Sequence, residues 1–489
     1  MPHSGDSDAQ LLLAKPGKIV AVHLNYPSRA QQRGRTPGQP SYFLKPSSSL
    51  AASGGTVERP AGAELLGFEG EIALIIGAPA RRVGLDEAWS HVSGVTAAND
   101  LGLYDLRTAD RGSNLRSKGG DGFTPLGPGI IDATLVDPAS LRVRTWLNGA
   151  LVQDDTTAEL LFPFARLIAD LSQLVTLETG DVILTGTPAG ASVAVPGDRL
   201  EVEVDAPTAP GAPSSGRLLT TVTQGEIAFS AVGSRPSIDD LQREEAWGSR
   251  AEAGLEPLFE LTPELIERIN SVSTATLSSQ LRKRGYNQVS IDGVRSTRPD
   301  VRLVGRARTL RYIAAREDLF ASHGSGFNAQ KRAFESLQAG EVLVMEARGE
   351  TGTGTVGDIL ALRAQLRGAA GIVTDGGVRD FAAVAALDIP TYSAGPHPAV
   401  LGRRHVPWDI DQTISCGGCA VQPGDVIVGD GDGVLVIPPF LVDEVVAGAM
   451  VQEREEAFIA AMVADGHSVE TLYPMNDEWK ARYLTWSPS

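Results

Sequence analysis

Between residues 18 and 230 the apolar residues come in short runs punctuated by glycine and proline, as in "GKIVAVHLNY", "LRVRTWLNGALVQ", "GDVILTGTPAG" and "DRLEVEVDA". Runs of this length predict strands joined by turns. Asn148-Gly149, between two extended runs, predicts a tight hairpin, because such a turn needs positive φ at its centre. Within the same region "AELLFPFARLIADLSQLVTLETGD" has apolar residues at helical spacing and predicts one amphipathic helix. Residues 235 to 257, "RPSIDDLQREEAWGSRAEAGLEP", are charged and broken by glycine and proline, with little apolar periodicity, and predict a linker. After it, "LTPELIERINSVSTATLSSQLRKRG" predicts a helix pair, with Thr262 as N-cap and Pro263 in the first turn. Strand-like runs such as "AGEVLVMEA", "AAGIVTDGG" and "PGDVIVGDGDGVLVIPP" then alternate with helical stretches, the pattern of an α/β domain. The expected division is therefore an N-terminal tail at 1–17, a β-rich domain at 18–234, a linker at 235–257 and an α/β domain at 258–489. A chain of 489 residues exceeds what one core serves.

One strand breaks the apolar pattern. In "GFEGEIALIIG", residues 67 to 77, Glu69 and Glu71 flank Gly70 and point to the same face. Two like charges beside Ile72, Leu74 and Ile76 cost free energy unless one is neutral or a cation lies between them; the plain alternative is an edge strand with a wet polar face. Downstream, "VTAANDLGLYDLRTADRGSNLRSKGGDGFTPLGPG" adds Asp100 and, in a glycine-rich loop, Lys118. Three oxygen donors without a convergent histidine or cysteine suit a hard cation such as Mg2+ or Mn2+, with positions open to substrate.

The second half holds another group. In "TGTGTVGDILALRAQLRGAAGIVTDGGVRDF" a helix is expected to start near Asp358, and Arg379 and Asp380 follow after 20 intervening residues. Amides at Asp358, Ile359 and Leu360 would offer an anion site at the helix start. Arg379 can grip a keto acid's oxygens with its planar fork and Asp380 can anchor a cation, whereas an Arg-Asp dipeptide alone is an ordinary surface ion pair.

Composition removes other classes. A formal net charge of −17, with no basic run longer than pieces such as "LRKRG", argues against nucleic-acid binding. The only two cysteines, Cys416 and Cys419 in "SCGGC", exclude a disulfide framework, fit a reducing compartment and lack the second pair that a zinc site needs. With neither a signal-like start nor about 18 apolar residues in a row, the expectation is a cytoplasmic protein without membrane attachment.

The order E-x-E, "ND", a lysine before "PLGP", "NG…Q" and "TGTPAG" resembles the fumarylacetoacetate hydrolase family across about 18 to 230. It is most similar to the branch acting on homoprotocatechuate ring-cleavage products, the 2-hydroxyhepta-2,4-diene-1,7-dioate isomerases and related decarboxylases. The resemblance implies a β-rich fold, metal ligands at Glu69, Glu71 and Asp100, Lys118 beside the substrate and Thr187 at its carboxylate. Two departures stand out. The water-activating His and Glu of many members are Arg29 and Gln32 here, and a frequent arginine is Tyr104. Loss of the His and Glu puts hydrolysis in doubt and leaves enolisation.

From 261 to about 460, "VSTATLSSQL", "LVGRARTL", "GDIL", "DGGVRD" and "VQPGDVIVGDGDGVLVIP" resemble the regulator of ribonuclease E activity A family and its relatives, the class II 4-hydroxy-4-methyl-2-oxoglutarate and 4-carboxy-4-hydroxy-2-oxoadipate aldolases. This implies an α/β, swivelling β/β/α fold. It also implies metal at Asp380, enolate stabilisation by Arg379, carboxylate binding at Asp358, Ile359 and Leu360, and a catalytic glutamate from a neighbouring subunit, for which Glu455 is the candidate. "ASHGSGFNAQKRAFE", with His323, is a further candidate pocket segment. The two resemblances together imply a bifunctional enzyme with one Mg2+ or Mn2+ per domain, a small 2-oxo di- or tricarboxylate substrate and a homo-oligomeric state, trimer or hexamer. Its reactions would be decarboxylation of 5-carboxymethyl-2-oxohex-3-ene-1,6-dioate or an analogue and isomerisation of 2-hydroxyhepta-2,4-diene-1,7-dioate. Open alternatives are an acylpyruvate hydrolase fused to an aldolase with oxaloacetate decarboxylase activity, and a second domain that is a non-catalytic regulator or oligomerisation module.

Overall fold

The structure is a computed structural model that describes residues 16–233 and 235–486, so most of the expected tail lies outside the described residues. The chain divides into two compact units, Met1–Pro257 and Leu258–Ser489.

In the first unit two sheets stack face to face. One runs in the order Tyr42–Lys45, Ile19–Val22, Val182–Leu184, Gly70–Ile76, Val92–Asn99, Thr124–Leu126, Leu50–Ala52. The other runs Ala150–Thr156, Arg142–Leu147, Arg199–Asp205, Ser214–Ala228, Gly55–Ala61. Alternation sends Ile72, Leu74, Ile76, Val95 and Ala97 of the first sheet against Val143, Val202, Val204 and Leu218 of the second, and Phe164, Leu167 and Ile168 of a helix close the same core. Asn148-Gly149 makes the expected hairpin turn, with Asn148 at φ 52° and Gly149 at φ 85°.

Two expectations change. The helix expected over 158–181 is confined to Phe164–Ser172, with Pro163 as its N-cap. Proline lacks the amide a helix interior needs, so the residues before it cannot join that helix. The expected linker is not wholly free either, since Asp240–Trp247 is a helix with a capping box between Asp239 and Gln242, and Ala246 is buried with Leu65, Tyr104 and Val193. Its apolar contact is small, which is why periodicity missed it. Polar ties hold it instead: Glu245 meets Arg33 at 3.2 Å and Arg107 at 2.9 Å, and Gln242 donates to Thr108 at 2.6 Å.

The second unit is built on a mixed sheet in the order Ser290–Ile291, Val434–Ile437, Val426–Gly429, Leu303–Ala314, Glu341–Glu346, Gly371–Thr374, Thr391–Ser393, Arg295–Ser296. Helices Pro263–Asn270, Thr274–Lys283 and Val442–Ala464 share one apolar cluster. Helices Ala329–Ser336, Asp358–Leu366 and Phe381–Ala385 share another, with Leu310, Leu343 and Ile372 of the sheet. Thr262 caps the first helix as expected, accepting from the Leu265 amide. A small parallel sheet, Gly354–Val356, Gly377–Val378 and Gly395–Pro396, brings the residues flanking Asp358 and Arg379 together. Among the described residues no helix is long and apolar enough to cross a membrane.

Candidate active sites

Strand Leu66–Phe68 belongs to a small sheet with Ser192–Val193 and Gly102–Leu103, while Gly70–Ile76 enters the large one, and Glu69 sits at the switch. The chain passes so close to Thr145 that a Cβ on Gly70 would lie 1.9 Å from its hydroxyl oxygen. Glycine is the only residue that fits. Asn99 holds the turn from the neighbouring strand by accepting from the Glu69 amide at 3.0 Å, and the Asp100 amide donates to the Glu69 carbonyl at 2.8 Å.

The result is a cluster. Glu69, Glu71 and Asp100 each present an oxygen within 4.8 Å of the others. The Lys118 ammonium reaches Glu69 at 2.7 Å, the Asp100 carboxylate at 3.0 Å and the Asp100 carbonyl at 2.7 Å. Lys45, wholly buried, pairs with the other Asp100 oxygen and donates to the Phe123 carbonyl at 2.9 Å. Glu71 accepts from the Gly186 amide at 2.8 Å.

Electrostatics separates the two glutamates. Burial works against the Glu69 anion, but Lys118 and Arg29 outweigh it and hold its carboxyl well below the usual range. Burial pushes Glu71 strongly up, reinforced by the negative charges of Asp100 and Glu69. Burial likewise opposes the Lys118 charge, and Asp100 and Glu69 overcome it, so its pKa is raised. A buried carboxyl driven toward its neutral form by two adjacent carboxylates is a group short of positive charge. The oxygen-only donor set fits a hard divalent cation at Glu69, Glu71 and Asp100.

Thr187 lies at the edge of the cluster, with its hydroxyl donating to the Gly70 carbonyl at 2.8 Å and accepting from Gln153 at 2.8 Å. Arg29 is buried, 3.8 Å from Glu69, and donates to Gln32 at 2.6 Å. The Tyr104 hydroxyl donates to Glu69 at 3.1 Å and accepts from Arg33 at 2.6 Å. Arg107 covers the Tyr104 ring at 4.3 Å. Glu69, Asp100, Lys118, Arg29 and Thr187 line an inner cavity of about 30 Å3, and His23, Arg35, Arg107 and Asn114 line both it and an outer chamber of about 600 Å3. Lys45, Arg33, Arg35 and Arg107 were not read from the sequence. For Lys45 a signal existed: in "YFLK" it alternates onto the same side as the buried Phe43, where a charge is out of place.

In the second unit Asp358, Ile359, Leu360, Arg379 and Asp380 line one pocket of about 190 Å3, together with Gln330. Helix Asp358–Leu366 starts from Gly357, and the small sheet delivers Arg379 beside it. Arg379 is 3.9 Å from Asp380, and its Nε is buried without a partner among the described residues. Asp380 has φ 53°, a strained conformation for a residue with a side chain. A Cβ on Gly354 would meet the Arg379 side chain at 2.3 Å. Glu455, on helix Val442–Ala464, does not line this pocket in its own chain. Nor does His323, which stacks on Trp408 with ring centroids 4.5 Å apart. Cys416 and Cys419 face each other across a hairpin, both buried, and burial pushes both thiols up.

Comparison with known proteins finds a family for each unit. Residues 18–223 match the family model for the fumarylacetoacetate (FAA) hydrolase C-terminal domain, and residues 274–436 match that for Aldolase/RraA. The chain belongs to the fumarylacetoacetate hydrolase family through its β-rich first unit and carries an RraA-like fold in its second. A 4-hydroxyphenylacetate degradation bifunctional isomerase/decarboxylase of Salmonella dublin is 40% identical over 194 residues, covering 39% of this chain and 45% of that protein. An uncharacterised protein of Archaeoglobus fulgidus is 38% identical over 191 residues, covering 39% of this chain and 75% of that one. Streptomyces coelicolor RraAS2, an unusual member of the RNase ES inhibitor RraA protein family, is 33% identical with a TM-score of 0.38, covering 41% of this chain and 98% of that structure. The chain spans about half the length of the bifunctional isomerase/decarboxylases it matches.

Proposed function

We propose that the protein is a bifunctional, divalent-cation-dependent enzyme acting on 2-oxo acids from aromatic ring cleavage. The first unit isomerises 2-hydroxyhepta-2,4-diene-1,7-dioate or a close analogue. The second cleaves a C–C bond in a related 2-oxo acid, by decarboxylation of 5-carboxymethyl-2-oxohex-3-ene-1,6-dioate or by aldol cleavage. The observation that carries the reading is the buried Glu69, Glu71 and Asp100 cluster with Lys118 against it, in a segment similar to an isomerase/decarboxylase.

Glu69, Glu71 and Asp100 would hold Mg2+ or Mn2+ in the first unit, and Asp380 would anchor the same kind of ion in the second. When bound, such a cation offsets the negative charge that develops on the 2-oxo oxygen. The rest falls to the protein. Lys118 keeps its proton, because Asp100 and Glu69 raise its pKa, and it presents a fixed positive charge beside the developing oxyanion. Thr187 marks the carboxylate end of the substrate. Arg29 cannot take a proton from water, since a guanidinium stays charged, and Gln32 cannot orient it as a glutamate would. Enolisation needs no activated water and survives that replacement.

In the second unit the amides of Ile359 and Leu360 would receive the 2-oxo carboxylate, and the Arg379 fork, with a free buried Nε, would meet the oxygen that becomes the enolate. Glu455 of a neighbouring copy would complete the site in a trimer or hexamer. The test uses purified protein with Mg2+ or Mn2+ and the dienedioate, the hexenedioate and oxaloacetate, following diene absorbance, CO2 and pyruvate. Loss of diene signal that is abolished by chelator is the expected result. Hydrolysis of acylpyruvates with no isomerisation would refute the reading.

A further inference from the structure

We infer that Arg35 and Arg107 form a second anion site in the first unit, which selects substrates carrying a distal carboxylate in addition to the 2-oxo acid group. The inference rests on the proposed reading that a 2-oxo acid binds at the carboxylate cluster.

The inner cavity, with Glu69, Asp100 and Lys118 in its walls, opens into the larger chamber past His23, Arg35, Arg107 and Asn114, which line both. No acidic residue lines the outer chamber among the described residues. Its charged walls are two guanidinium groups. Arg107 is fixed, covering the Tyr104 ring at 4.3 Å and pairing with Glu245 at 2.9 Å. Arg35 has no carboxylate within salt-bridge distance among the described residues. Its backbone is nevertheless held, because its amide donates to the Ala30 carbonyl at 3.1 Å just after Gly34 turns at φ 62°.

His23 adds no positive charge near neutral pH. Burial lowers its pKa, and Arg107, Lys118 and Arg35 lower it further, against a hydrogen bond that the ring donates to the Ser41 backbone. Asn114 meets its Nε2 at 2.9 Å, which fixes the ring in the wall that the two cavities share. A guanidinium pair at the mouth of a chamber too large for pyruvate alone suits a carboxylate several carbons from the keto group. A monocarboxylate would leave Arg35 in water and Arg107 on Glu245, and gain nothing from either.

The test compares 2-oxoadipate with 2-oxohexanoate, which has the same chain length without the distal carboxylate. Each is titrated by equilibrium binding into Mg2+-loaded full-length protein carrying Asp380→Asn, so that the second unit's pocket does not contribute. We expect at least about tenfold tighter binding of the diacid, as one charge-assisted fork would give. Adding Arg35→Gln or Arg107→Gln should make the two affinities converge. Equal affinities in the parent, or a preference that survives both substitutions, would overturn the inference. Turnover of the dienedioate is measured alongside. If turnover is absent while the binding preference and its loss are present, the assigned reaction falls and the anion site stands.

Discussion

Replacing Lys118 with methionine keeps most of the side-chain volume and removes one charge from the centre of the carboxylate cluster. In the protein without a cation, that charge makes three contacts of 2.7 to 3.0 Å, to Glu69 and to both the carboxylate and the carbonyl of Asp100. Its side chain is only 5% exposed, and those of its partners are 13% and 2% exposed. Removing one partner of a buried pair costs about 3–5 kcal/mol, because the other partner stays buried and unpaired. Here part of the loss is absorbed, since Asp100 keeps Lys45 and Glu69 keeps Arg29 at 3.8 Å. The lower end, about 3 kcal/mol, is the expected cost, a fall of about 6–12 °C in the melting of a unit of this size.

A divalent cation supplies positive charge to the same oxygens, so with saturating Mg2+ or Mn2+ the variant should recover most of that deficit while its turnover stays lost. Hydrogen exchange of the peptides covering Gly70–Ile76 follows the first unit alone, with and without chelator. The variant should gain more protection from the cation than the wild type gains. Equal gains would mean that the cation and Lys118 do not share these carboxylates, and the metal assignment to Glu69, Glu71 and Asp100 would fall with it.

Three further outcomes are expected. Asp380→Asn should abolish cation-dependent cleavage by the second unit, and Arg379→Lys should reduce kcat at least tenfold, because lysine cannot reproduce the planar fork; wild-type oxaloacetate decarboxylation by the lysine variant would contradict this. His405 is buried with neither ring nitrogen partnered, and burial, then Arg348, lowers its pKa to about 4. Its unfolded form takes up a proton near 6.5, so the stability it contributes is present above that pH and is lost as pH falls toward 4, roughly 3 kcal/mol in all; His405→Phe should flatten the second unit's stability between pH 4 and 7 as read by denaturant unfolding. Arg29→His with Gln32→Glu should confer acylpyruvate hydrolysis absent from the parent, a gain of about 10²-fold or more if a general base is all that is missing, measured by pyruvate release.

The parts of this molecule that were legible in the sequence are those set by neighbours in the chain. Alternation along "GFEGEIALIIG" put Glu69 and Glu71 on one side, and the structure brings them together, although Glu69 occupies a switch between two sheets that alternation does not foresee. The helix start at Asp358 and the cap at Thr262 were legible for the same local reason. What depended on distant partners was not. Lys45 meets Asp100 across 55 residues, and Arg107 meets Glu245 across 138. The helix Asp240–Trp247 was hidden because it is held by ion pairs and one small alanine rather than by an apolar stripe.

The same long-range charges explain how one cluster can serve both a cation and an anionic substrate. Without a cation, Glu71 is driven toward its neutral form by burial and by Asp100 and Glu69, which leaves two carboxylates facing two ammonium groups, Lys45 and Lys118. With Arg29 at 3.8 Å from Glu69, that arrangement carries an excess of one positive charge. A divalent ion held by Glu71 would need that carboxyl ionised. Three negative charges would then face Lys45, Lys118, Arg29 and a doubly charged ion. A cation would therefore raise a positive excess that is already there by one charge, while Arg35 lines the outer chamber with no carboxylate beside it among the described residues. On the proposed reading, a dianionic 2-oxo acid would be drawn into the chamber at any time and held more tightly at the cluster once a cation is bound.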